Sequence, residues 1–285
     1  MSDINLVGVI GGGTMGAGIA EMCARSGSSV LILETSQATA DAAEARLDKS
    51  FARAVKSGRI EADAAEKARA AITLTRDMND FADRDLVVEA APEIESLKLD
   101  LFGKLDSIVK PEGILATNTS SIPVIKMANA TKRPDKVVGV HFFNPVPVLP
   151  LVEIVVSLVT SEETVASVTD YASNTLGKKT IRSGDRAGFI VNALLIPYMV
   201  SAIRMLESGF ASAEDIDDGM VNGCAHPMGP LRLTDTVGLD VTLAVAESLY
   251  AEFREPHYAP PPLLQRMVDA GMLGRKSGKG FYSYS

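Results

Sequence analysis

The apolar run Leu6-Val7-Gly8-Val9-Ile10 passes directly into Gly11-Gly12-Gly13-Thr14-Met15-Gly16, and helix formers follow at once. A buried strand that turns on glycines into a helix leaves few options. The chain must enter a sheet, reverse tightly, and pack the helix back on the strand it has just left. The rest of the first 185 residues keeps the same alternation. Val30–Leu33, Leu86–Val88, Ile114–Ala116 and Val137–Val140 read as strands apolar on both faces, as in a parallel sheet covered by helices. The Ala-rich segment Ser36–Ala71 is too long for one crossover, and Ser57-Gly58 interrupts it, so it predicts two helices. The fold class is therefore α/β, an N-terminal doubly wound sheet of the Rossmann type.

From Gly188 the pattern changes. Ile190, Leu194, Leu195, Met199, Ile203 and Leu206 recur at helical spacing, and three or four further helices follow before the Gly274–Gly280 tail. The longest apolar stretch, Gly188–Leu206, is broken by Asn192, Pro197 and Arg204. A membrane helix needs about 20 mostly apolar residues, so the stretch predicts a buried helix instead. An all-α C-terminal domain is expected over 188–285, joined to a nucleotide-binding domain over 1–187 at the turn-rich Ser183–Gly188.

Composition narrows the function classes. Of 285 residues, 28 are Lys or Arg and 36 Asp or Glu, a net charge of −8 with no broad basic face, which argues against nucleic acid. Two distant cysteines and three scattered histidines give neither a disulfide scaffold nor metal-ligand spacing, so no metal is expected. Met1-Ser2-Asp3 precedes the first strand without a basic leader. A cytoplasmic location is the expectation, with no membrane partner.

The glycine loop fits G-x-G-x-x-G. Gly11 permits the tight turn, Gly13 the approach of a pyrophosphate, and Gly16 close packing of helix on strand, while the helix N-terminus beginning at Thr14 and Met15 attracts anions. Glu34 ends the second strand eighteen residues after Gly16, the place of a carboxylate that binds ribose hydroxyls. Such a carboxylate repels a 2′-phosphate, and Thr35-Ser36-Gln37 offer no cation to hold one. NAD is favoured over NADP, although distant basic side chains could soften that preference.

Further along, Asn118-Thr119-Ser120-Ser121 follows one strand and His141-Phe142-Phe143-Asn144-Pro145 ends the next, with Glu153 twelve residues beyond His141 in a further extended segment. An imidazole can take a hydroxyl proton as hydride leaves carbon, and a carboxylate on its other nitrogen would hold the tautomer. A histidine beside Phe is, however, more often a packed core residue, and spacing alone does not separate the two.

The sequence resembles the L-3-hydroxyacyl-CoA dehydrogenase family, specifically its short bacterial 3-hydroxybutyryl-CoA members. The likeness spans nearly the whole chain. It is carried by Gly11–Gly18, Asn118–Ser121, His141–Val148, Leu151–Glu153, Gly188–Asn192, His226–Pro230 and Gly274–Tyr282. The resemblance implies NAD-dependent oxidation of (S)-3-hydroxyacyl-CoA to 3-ketoacyl-CoA, run in either direction. It implies His141 as general base, Glu153 as its orienting partner and Ser120 as hydroxyl donor to the substrate 3-oxygen. Asn192, on the first helix of the second domain, would be an amide reaching the same substrate. Asn118 would contact cofactor or thioester, and the nicotinamide-side contacts would fall on Glu93 and Lys98, whose five-residue spacing survives the Pro92 variation. For coenzyme A, Ser50, Lys56 and Arg59 are the candidates on the projecting helices. Dimerisation through the helical domain is also implied. Two rivals stay open: a dehydrogenase of another small hydroxy acid, whose catalytic lysine has no counterpart near Asn192, and a non-catalytic, crystallin-like relative.

Overall fold

The structure, a computed structural model, describes residues 4–284, so the opening Met1-Ser2-Asp3 reading lies outside the described residues. The chain divides into two compact units between Asp185 and Arg186.

The first unit alternates strand and helix: β1 (Leu6–Ile10), α1 (Thr14–Arg25), β2 (Ser29–Leu33), α2 (Gln37–Lys56), α3 (Ala62–Ala70), β3 (Ile72–Thr75), β4 (Leu86–Glu89), α4 (Glu95–Ile108), β5 (Ile114–Thr117), α5 (Val124–Asn129), β6 (Val137–Phe142), β7 (Leu151–Val156), α6 (Glu162–Asp170) and β8 (Lys179–Gly184). The eight strands form one sheet in the order β3-β2-β1-β4-β5-β6-β7-β8. All neighbours are parallel except β6 and β7, which run antiparallel. The reversal of strand order beside β1 is the switch point of a doubly wound sheet, where strand carboxyl ends open a crevice for a ligand. The α/β reading holds, and the predicted break at Ser57-Gly58 does separate α2 from α3.

Two strands were not anticipated. β3 and β8 lie at opposite edges of the sheet, and each mixes polar residues into its run (Ile72-Thr73-Leu74-Thr75; Lys179-Thr180-Ile181-Arg182). Edge strands meet solvent on one side and lose the continuous apolar signature that betrays a central strand.

The second unit is helical: α7 (Val191–Glu207), α8 (Ala213–Cys224), α9 (Pro230–Val237), α10 (Leu239–Phe253) and α11 (Pro262–Asp269). Asp217 and Asp235, both buried, tie the tail to it. Asp217 caps α9 through the Leu231 and Arg232 N–H groups and accepts from the Tyr282 hydroxyl, while Asp235 accepts from the Phe281 and Tyr282 N–H groups. One expectation needs correcting. The apolar stretch Gly188–Leu206 does form a helix, but α7 buries only the face carrying Ile196, Met199, Val200, Ala202 and Ile203. Leu194 stays 73% exposed. The helix packs one side on α9 and α10, so apolar residues all round it cannot all reach the core. No helix among the described residues is long and apolar enough to cross a membrane.

Candidate active site

The glycine loop closes as its spacing predicts. Gly11 sits at φ +90°, a conformation that penalises any side chain, and its N–H bonds the Leu33 carbonyl. A Cβ on Gly16 would lie 1.8 Å from the Gly11 carbonyl oxygen, so only glycine lets α1 start this close to the loop. Gly13, by contrast, caps α1 with nothing within 4 Å of where a Cβ would stand, and no side chain caps the first-turn N–H groups that follow through Thr14 and Met15. Open space before free helix-terminal donors suits a pyrophosphate.

Glu34 follows the last residue of β2 with its carboxylate against the loop, where Oε1 accepts the Gly12 N–H at 2.5 Å. Gly12 was not among the predicted site residues. A side chain there would collide with Ala43 and with Glu34 itself, so the second glycine of the triplet keeps the carboxylate in place. The Gly12 carbonyl in turn accepts from Arg46 Nη1 on α2 at 3.3 Å. This is one of the more distant basic side chains that the local Thr35-Ser36-Gln37 reading does not reach.

Toward the other half of the sheet, three predicted residues come together. His141 and Glu153 are register partners across the antiparallel pair β6–β7, which turns a twelve-residue separation into contact. The imidazole Nδ1 is 2.7 Å from Glu153 Oε2, and Nε2 is 3.0 Å from Ser120 Oγ. A carboxylate only accepts, so Nδ1 carries the proton and Nε2 presents its lone pair to the serine hydroxyl. Both His141 and Glu153 are buried, Glu153 completely. The Phe143 ring meets the imidazole edge-on at 4.7 Å. Asn118 spends its carbonyl oxygen on the Phe142 N–H at 2.9 Å and so holds the end of β6. Lys178 donates to the Val146 and Leu149 carbonyls, 2.6 and 2.8 Å away, bracing the loop between β6 and β7. Burial first, and then the Arg25 charge, push the Lys178 ammonium below its ordinary pKa.

Glu93 and Lys98 also meet, with Lys98 Nζ 3.2 Å from Glu93 Oε2. Burial works to raise the Glu93 carboxyl. The Lys98 charge and hydrogen bonds from Thr119, Ser121 and the Ser120 N–H outweigh it and hold the group below the usual carboxylate range. Lys98 is buried to 1% exposure and grips a residue the sequence reading passed over, Glu89, by both carboxylate oxygens. The available signal was an acidic residue closing the apolar run Leu86-Val87-Val88, the pattern that picked out Glu34.

Other predicted positions stand apart. Ser50 and Lys56 lie on the last turns of α2, half-buried and exposed, and Arg59 is exposed in the turn before α3, its carbonyl accepting from Arg25. None of the hydrogen bonds that join Ser120, His141 and Glu153 involves them. Asn192 is half-buried in the first turn of α7, within the second unit.

The family model for the NAD-binding domain of 3-hydroxyacyl-CoA dehydrogenases matches residues 6–186, and that for their C-terminal domain matches residues 188–284. The chain belongs to the 3-hydroxyacyl-CoA dehydrogenase family. It is 54% identical, over 100% of both chains, to a 3-hydroxybutyryl-CoA dehydrogenase of Mycobacterium tuberculosis. With a 3-hydroxybutyryl-CoA dehydrogenase of Clostridioides difficile it shares 42% identity over 97% of this chain and 98% of the other. Among solved structures, the M. tuberculosis protein FadB2 superposes with a TM-score of 0.98 at 53% identity, covering 99% of each chain. The (S)-3-hydroxybutyryl-CoA dehydrogenase of Ralstonia eutropha gives 0.93 at 44%, covering 99% of this chain and all of the other. A family member of this kind is an NAD-linked oxidoreductase acting on 3-hydroxyacyl-CoA.

Proposed function

We propose that this dehydrogenase acts on short (S)-3-hydroxyacyl-CoA, with 3-hydroxybutyryl-CoA as the preferred substrate. The observation that carries the reading is the line Ser120 Oγ, His141 Nε2, His141 Nδ1, Glu153 Oε2, with separations of 3.0 and 2.7 Å.

His141 Nε2 takes the proton of the substrate 3-hydroxyl. Glu153 keeps the opposite nitrogen protonated and stabilises the imidazolium that results. The Ser120 hydroxyl holds the 3-oxygen, which develops into a carbonyl as the C3 hydride departs. Bound NAD supplies the hydride acceptor. Glu34 accepts from the adenosine ribose, the Gly11–Gly16 loop with Thr14 and Met15 faces the pyrophosphate, and Glu93, Lys98 and Asn118 line the nicotinamide and thioester side. Asn192 offers its amide to the substrate, and Ser50, Lys56 and Arg59 hold coenzyme A. The first unit is the NAD-binding domain, and the second serves substrate binding and homodimer formation. Exposed Leu194, Met205 and Phe210 support that second role, and the enzyme works in the cytoplasm.

Initial rates with ketoacyl-CoA substrates from four to sixteen carbons, using NADH and NADPH, test the proposal. A maximum kcat/KM at four carbons with NADH is the expected result. A maximum at long chains would reassign the substrate.

A further inference from the structure

Among the buried charged groups of the first unit, Glu89 has no place in the mechanism above, yet it is fully buried beside residues that do. We propose that Glu89 is a positioning residue for the reaction, acting on Ser120 through Lys98 and Glu93. The proposal rests on the assignment of Ser120 and His141 made above.

The contacts form a continuous chain. Glu89 is the last residue of β4, and its register partner on β5 is Thr117. Three donors make four hydrogen bonds to its carboxylate: Lys98 Nζ to both oxygens (2.7 and 2.8 Å), Thr117 Oγ1 (2.7 Å) and the Ala91 N–H (2.7 Å). The Lys98 ammonium, thus fixed, also donates to the Ala91 carbonyl at 3.3 Å and faces Glu93 Oε2 at 3.2 Å. The other Glu93 oxygen then gathers the whole turn that carries Ser120. It accepts from the Ser120 and Ser121 N–H groups at 3.0 Å each, from Ser121 Oγ at 2.9 Å and from Thr119 Oγ1 at 2.5 Å. Ser120 Oγ ends the chain 3.0 Å from His141 Nε2. None of these hydrogen bonds joins Glu89 directly to Ser120 or His141, so its influence runs through the two residues between.

The division of the ammonium between two carboxylates is what sets the geometry. Lys98 lies closer to Glu89 than to Glu93, and Glu93 can therefore spend one oxygen entirely on the serine turn. Glutamine at position 89 would keep the shape but turn an amide N–H₂ toward groups that are themselves donors. Lys98 would then have Glu93 as its single anionic partner, and the pull would draw Glu93 off the Ser120 and Ser121 N–H groups. Reacting groups displaced by about 1 Å lose about 100-fold in rate, so a change two residues removed from the chemistry should be read in kcat.

Steady-state kinetics with acetoacetyl-CoA and saturating NADH, beside circular dichroism and thermal melting, test this on the full chain. Glu89→Gln should lower kcat by about 10- to 100-fold while the acyl-CoA KM changes little. Glu89→Asp, which restores the charge one bond shorter, should recover part of the loss. A purely structural Glu89 would give lowered melting temperatures with unchanged kcat well below the melt, and that outcome overturns the proposal. Should Glu89→Gln not fold, Thr117→Val removes one donor from the same carboxylate and spares the ion pair. A measurable fall in kcat supports the chain of contacts, and an unchanged kcat refutes it. His141→Gln separates the two layers of argument. Full turnover in His141→Gln would mean that the underlying assignment has failed. An inactive His141→Gln beside a normal Glu89→Gln would sink only the positioning role.

Discussion

His141 and Glu153 stand opposite each other on β6 and β7, joined Nδ1 to Oε2 at 2.7 Å, at the one antiparallel pairing in the sheet. A parallel crossover between these strands would need a dozen or more residues and usually a helix. The antiparallel turn instead brings base and carboxylate together from short neighbouring strands, on backbone hydrogen-bonded on both sides. The imidazole is thus aimed by the sheet itself.

His141→Gln should lower kcat by about 10²- to 10⁴-fold with NADH affinity nearly unchanged. Glu153→Gln removes the charge that stabilises the imidazolium formed as the substrate proton arrives, so kcat should fall while NADH affinity stays nearly unchanged. A kcat equal to wild type would separate the pair functionally despite its geometry.

Cofactor choice should respond to two residues on either side of Gly12. Glu34 accepts from its N–H and Arg46 donates to its carbonyl, so a carboxylate and a guanidinium flank one point of the loop. Glu34→Ala removes the repulsion of a 2′-phosphate and leaves Arg46 to attract it. The NADPH/NADH ratio of kcat/KM should rise by at least about tenfold, about 1.4 kcal/mol. Adding Arg46→Ala should then reverse part of the gain. A Glu34→Ala protein with the original ratio would mean that the carboxylate serves only the loop.

The sequence carried these sites unevenly, and the reason is physical. Central strands β1, β2, β4, β5 and β6 are apolar on both faces and could be read directly, as could the glycine loop, whose Gly11 and Gly16 obey local steric limits. Edge strands β3 and β8 could not, because half of each faces solvent. His141 with Glu153 was visible only by resemblance, since a twelve-residue interval has no meaning until strand direction is known. Glu89 went unread for a related reason. Its partners Lys98 and Thr117 come from a helix and the next strand, and only the folded register assembles them.

Acid stability should report on Glu93. Its folded pKa lies below the ordinary glutamate value, and a group lowered in this way adds stability that is complete above the unfolded pKa of about 4.3. That contribution is lost as pH falls through the lower folded value. Urea midpoints for wild type and Glu93→Gln should therefore differ at pH 7 and converge as pH drops from about 4. A gap of constant size down to pH 3 would show that Glu93 stabilises through packing and not through charge.

The last prediction concerns the outer face of the second unit. Met199, Leu239, Leu243 and Leu249 are buried in its core, whereas Leu194 and Phe210 are 73% and 79% exposed, with Ile190, Met205, Val237 and Val241 also exposed. Leu194 and Met205 share one face of α7, eleven residues or about three turns apart, and Phe210 stands in the turn after it. Each large side chain left in water forgoes about 1.5–3 kcal/mol of burial, and exposed apolar groups gathered on one helix favour an interface there. A second copy of the chain is the simplest occupant, because two-fold pairing lets one patch cover itself. Light scattering at micromolar concentration should give about twice the single-chain 30.2 kDa. Leu194→Asp would place a charge on that face, where pairing would bury it without a counter-ion. The variant should remain folded by circular dichroism and shift toward the single-chain mass. A wild-type protein that scatters at 30.2 kDa refutes the dimer outright, and a dimer untouched by Leu194→Asp moves the interface to another face.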